Sequence, residues 1–75
     1  MAATSDEWAD KAKRHLKAEM VRAGMKNADL ARKLSEMGLP ETETGVQAKI
    51  NRGGFPAWFF LAALQAIGVT TLRLD

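Results

Sequence analysis

Residues 27–53 read NADLARKLSEMGLPETETGVQAKINRG, and the fold turns on how this stretch is divided. Leu30, Leu34 and Met37 recur at the spacing of one helical face, with Ala31 beside them. Asn27 is a suitable N-cap for such a helix, and Asp29 falls in its first turn, where the helix dipole favours an acid. Gly38 ends the pattern. Leu39-Pro40 then imposes a turn, because a residue before proline is pushed out of the α region. A second helix is predicted from about Thr42 to Arg52-Gly53-Gly54, with Val46 and Ile50 as its buried pair. Thr44, Ala48, Asn51 and Arg52 project away from that pair, and Gln47 and Lys49 lie on the two flanks.

Upstream, Thr4-Ser5-Asp6-Glu7 has the form of a capping box opening a long helix that stops at Gly24. Trp8, Ala9, Ala12, Leu16, Met20 and Ala23 fall on one arc, and Lys11, Lys13, Arg14 and Lys17 cover the rest. Downstream, a fourth helix is predicted from Pro56, whose fixed φ suits a first helical position, to Gly68. It carries no charge. Phe60, Ala63, Leu64 and Ile67 make one face, and Trp58, Phe59, Ala62 and Ala66 another. A helix apolar all round is either central to a core or covered by a partner. The tail from Val69 to Leu74 is β-prone; it can lie across the helices or pair with a copy of itself. The expectation is an all-α, four-helix fold with a short extended C-terminal tail, residues 1–75 forming one domain.

Composition excludes several functions. There is no cysteine and one histidine, His15, so neither a disulfide framework nor a zinc ligand set is available. Nothing is spaced to form an acid–base pair with His15, and no nucleophile–base pair or phosphate loop is present, so no enzyme and no cofactor are expected. The uncharged stretch around helix four is broken by Pro56, Gln65 and Gly68, and a bilayer span needs about 20 apolar residues. No signal-peptide pattern opens the chain, and a cytoplasmic, membrane-free location is expected. The net charge of +2 singles out no partner. Its distribution is more telling, because Lys11, Lys13, Arg14, Lys17, Arg22 and Lys26 cluster while most acids lie elsewhere.

Three segments in order resemble a known family. Asn27-x-x-Leu30-Ala31-x-x-Leu34 is similar to the second helix of a lambda-repressor-like (XRE-type) helix-turn-helix. Ile50-Asn51-Arg52-Gly53 is similar to the end of that family's recognition helix, and Ile67-Gly68-Val69-Thr70-x-Leu72 to its closing segment. The order KINRGGF…FFLAALQAIGVTTLRL also resembles a group of short bacterial proteins of uncharacterised function classed with these domains. The stretch from Leu30 to Val46 is longer than that family's tight turn: either the second helix gains a turn or the connection is an expanded loop.

The resemblance implies a small transcription-regulator-like module that binds duplex DNA through helix three, with side chains near that helix's N-terminus reaching base edges. The candidate nucleic-acid contacts are Lys26, Asn27, Thr44, Gln47, Lys49, Asn51 and Arg52. Glu41 and Glu43, at the start of helix three, oppose this, since they would repel phosphate. The alternative is a protein-interaction or dimerisation module on the same fold, with Trp58, Phe59 and Leu72 as contacts to a second copy.

Overall fold

The computed structural model describes residues 3–74, with side chains from Ser5 onward. Four helices follow one another: α1 (Ala3–Ala23), α2 (Asn27–Glu36), α3 (Glu43–Arg52) and α4 (Ala57–Ile67). There is no strand among the described residues, and the fold is all-α.

Each helix contributes to one core. Leu16 and Met20 enter it from α1, and Leu30, Ala31 and Leu34 from α2. Val46 and Ile50 come from α3, and Phe59, Ala63 and Leu64 from α4. The helix contacts close a ring: α2 packs on α3 and α4, and α1 packs on α3 and α4. No charged or polar residue belongs to the buried core among the described residues. Burial of apolar surface, at roughly 25 cal/mol per Å², therefore holds the helices together.

The long arc expected on α1 is buried only in its middle. Leu16 is fully buried, whereas Trp8 is 62% exposed and Ala23 is also exposed. Length explains the difference. α1 has 21 residues against 10 or 11 in the other helices. At about 1.5 Å per residue its ends overhang the helices that could cover them. Trp8 instead lies beside its own helix's Lys11, whose ammonium is 4.8 Å from the ring centroid. Thr4 lies inside α1 rather than ahead of it, so it does not occupy the expected cap position; its side chain is outside the described residues.

Two helix starts also shift by one residue. Lys26, with φ −99° and ψ 171°, is the N-cap of α2, so Asn27 is its first helical residue and not its cap. Pro56 caps α4 with ψ 155° and does not sit inside it. The helix-two question is settled in favour of the loop: α2 ends at Glu36, and residues 37–42 form the connection. Ser35 ties this connection down. Its hydroxyl accepts the Glu41 N–H at 3.2 Å and donates to the Ala31 carbonyl at 2.9 Å.

α4 is covered mostly by its own chain. Phe59 is 1% exposed, and Phe60, Ala62, Ala66 and Ile67 pack around the core. Phe55 stacks on Phe60 and tilts against Phe59, with ring centroids 5.6 Å apart in both pairs. Only Trp58 and Leu61 among its large apolar side chains remain outside. The buried side of α4 thus joins Phe59 to Ala63 and Leu64, combining the two faces that sequence periodicity separates. The tail lies across the helices, with Val69 and Leu72 packed against the core. No helix among the described residues is long and apolar enough to cross a membrane.

Candidate nucleic-acid interface

α3 starts where a side chain can satisfy its first free N–H groups. Thr42 is extended, at φ −114° and ψ 160°, and its Oγ1 accepts the Gly45 N–H at 3.0 Å. From that fixed start, Val46 and Ile50 turn inward. The 3.6-residue period then carries Thr44, Gln47, Ala48, Asn51 and Arg52 outward, and all five are exposed. The side chains of Thr44, Gln47 and Asn51 have no hydrogen-bond partner, and Arg52 no ion-pair partner, among the described residues.

The far end of α3 is set by a backbone contact with α1. Gly53 adopts φ +68°, and a Cβ built on it would lie 2.4 Å from the Ala9 carbonyl oxygen. No side chain fits there, so glycine is what allows the two helices to meet. The same approach lets the Lys13 ammonium donate to the Asn51 carbonyl at 3.3 Å. A cation from α1 therefore stands at the negative end of the α3 dipole, on the carbonyl of the residue before Arg52. Asp10 draws on Arg14 at 2.8 Å and, more distantly, on Lys13 at 3.9 Å.

Lys49 does not join the outward set. Its ammonium is hydrogen-bonded and ion-paired to the Glu41 carboxylate and lies 5.2 Å from the centroid of the Phe59 ring. The Glu41 side chain is only 9% exposed. The expected repulsion from Glu41 is thus cancelled inside the domain, and the lysine that cancels it is withdrawn from the candidate contacts. Glu43 stays exposed in the first turn of α3.

Lys26 and Asn27 belong to the start of α2 and not to the α3 face. The Asp29 carboxylate accepts the Lys26 N–H at 2.9 Å and meets Arg32 at 3.3 Å. The Lys26 N–H, and secondarily Arg32, hold the Asp29 carboxyl below its ordinary range despite partial desolvation. The candidate partner contacts also separate. Trp58 is 55% exposed, but Phe59 is a core residue and unavailable to a second chain. Leu72 is half-buried against the core.

Sequence spacing did not point to the Glu41–Lys49 pair or the Lys13–Asn51 contact, because neither has a helical repeat. The tandem Gly53-Gly54 was a visible signal, but only for a helix end and not for the backbone contact with Ala9.

The features so far define a four-helix domain that presents one polar helix face on an apolar core. The model of the family described as Domain of unknown function (DUF6471) matches residues 8–72, and the chain belongs to that family. No curated protein and no solved structure matches the chain.

Proposed function

We propose that this domain binds duplex DNA, with α2 and α3 acting as a helix-turn-helix of the lambda-repressor kind and α3 lying in the major groove. The observation that carries the reading is the outward face of α3. Thr44, Gln47, Ala48, Asn51 and Arg52 are small or polar and exposed, on a helix whose opposite side is anchored in the core and whose one acid is Glu43 in its first turn. Such a face fits the groove and can bond base edges. Arg52 and Lys13, at its C-terminal end, supply cations for the phosphate backbone. Glu41, the nearer of the two opposing acids to the core, is neutralised by Lys49.

A second use of the same fold is favoured by Trp58 and Leu61, which are 55% and 67% exposed on a helix with no charged residue. They offer an apolar contact to a second copy of the chain.

Both readings are tested by fluorescence anisotropy on labelled duplexes across a salt series, with sedimentation of the same samples. The expected result is binding that weakens steeply with salt. Arg52→Ala should reduce the salt slope by about 0.9, as for one lost phosphate contact. Gln47→Ala should lower affinity with the slope unchanged. Absence of binding to every duplex at low salt would sink the DNA reading. Self-association that disappears in Trp58→Ser/Leu61→Ser would then favour the second.

A further inference from the structure

We propose that Glu41 determines specificity: by holding Lys49 off the exposed face of α3, it leaves a face built to read A·T base pairs. The inference rests on the duplex-binding reading above. Lys49 sits on the flank of that face, and a released lysine there would reach outward. Instead its ammonium is held by a carboxylate that is 9% exposed and lies near the face of Phe59, a core residue. The backbone that carries this carboxylate is held in turn, because the Glu41 N–H donates to the Ser35 hydroxyl at the end of α2. The clamp therefore ties Lys49 to α2 and to the core at once.

With Lys49 removed from one flank, the face offers the Asn51 carboxamide, the Gln47 carboxamide on its other flank, the Thr44 hydroxyl and the Ala48 methyl. A carboxamide places a donor and an acceptor side by side, which matches N7 and the N6 amino group of adenine. A methyl group packs against the methyl of thymine. Guanine offers two acceptors, O6 and N7, and is read best by a cation. Arg52 is the remaining cation of the face; as the last residue of α3, next to the carbonyl that holds Lys13, it is assigned to the phosphate backbone. Gln47 and Asn51 are one helical turn apart, about 6 Å along the axis. Base pairs are stacked about 3.4 Å apart, so the two amides reach adenines roughly two steps from each other.

The test is selection from a random duplex pool with the full chain, comparing wild type, Glu41→Gln, Lys49→Met and the double variant. Circular dichroism melting confirms that each is folded. The neutral pair of the double variant leaves no unpaired charge if a single variant does not fold. Wild type should enrich A·T pairs at two positions roughly two steps apart. Replacing those adenines by 7-deazaadenine, which lacks the N7 acceptor, should weaken binding on the order of tenfold. Glu41→Gln should admit guanine to the selected sites and steepen the salt slope by about one. Lys49→Met and the double variant should select the wild-type site. A G·C-centred wild-type site, an unchanged site in Glu41→Gln, or a changed site in Lys49→Met would overturn the inference. Duplex binding without base preference would overturn it and leave the duplex-binding reading standing; no binding to any duplex would overturn both.

Discussion

Helices α3 and α4 have 10 and 11 residues, and they use their surfaces in opposite ways. α3 buries Val46 and Ile50 and gives the rest of its circumference to polar or small side chains, apart from the withdrawn Lys49. α4 buries Phe59, Ala63 and Leu64 and half-buries four more apolar residues, although both helices contact α1 and α2. Their starts differ too. Thr42 caps α3 through a side-chain hydrogen bond, whereas no side chain caps α4, which is held in place by packing. The domain thus separates a helix that builds the core from a helix that is displayed. Substitutions in the first should be read in stability, and substitutions on the displayed face in binding.

The largest effect should come from breaking the builder. Phe59→Ala removes the largest fully buried side chain and should cost about 3–5 kcal/mol in urea denaturation. A domain of 75 residues holds only roughly 4–11 kcal/mol in all, so this variant should be partly or wholly unfolded. Gln47→Ala, on the exposed face of α3, should stay within about 0.5 kcal/mol of wild type. Equal losses in the two variants would erase the distinction between the helices.

A smaller effect should come from loosening the displayed helix at its end. Gly53 and Gly24 share the same φ of +68°, but only Gly53 faces another backbone, while a Cβ at Gly24 would meet nothing within 4 Å. Gly24→Ala should therefore cost about 1 kcal/mol, for the left-handed conformation alone. Gly53→Ala should cost that and more, because α3 must move away from Ala9. The excess measures the α1–α3 contact, and thermal melting of the two variants side by side gives it. Equal melting temperatures would show that the contact contributes nothing to holding α3.

Much of this arrangement is legible in the sequence because it is periodic. Leu30 and Leu34, or Val46 and Ile50, announce their helices by spacing, and Gly24, Gly53 and Gly68 mark the ends. The exposed side of α3 follows from the same period. What periodicity does not carry is length matching and pairing across loops. The overhang that exposes Trp8 depends on how short the neighbouring helices are. α4 is apolar on every side, so its pattern could not tell that Phe59 faces inward and Trp58 outward. Lys49 reads as one more candidate cation because Glu41, which claims it, lies outside the helix, just before the Thr42 cap, where no helical repeat relates the two.

The smallest effect separates the helix starts, and it is read in pH. α2 begins with the Lys26 N–H bonded to the Asp29 carboxylate, which lowers that carboxyl below its ordinary range. A carboxyl whose folded-state pKa is depressed contributes stability that is complete above its unfolded pKa. The contribution is lost as pH falls through the folded value. Asp29 should therefore add to the acid sensitivity of the domain at pH values below the ordinary aspartate range. In Asp29→Asn the side-chain oxygen can still accept the Lys26 N–H, so the fold is kept, but the charge-dependent part is gone and the acid limb of the stability curve should flatten. Arg32→Ala should move the Asp29 titration, followed by NMR, less than loss of the backbone bond would, because the Lys26 N–H is the dominant cause of the shift. α4 has no acid in its first turn and no such group to titrate, so its start should be indifferent to the same pH change. An acid limb identical in wild type and Asp29→Asn would mean that α2, like α4, is set in place by packing alone.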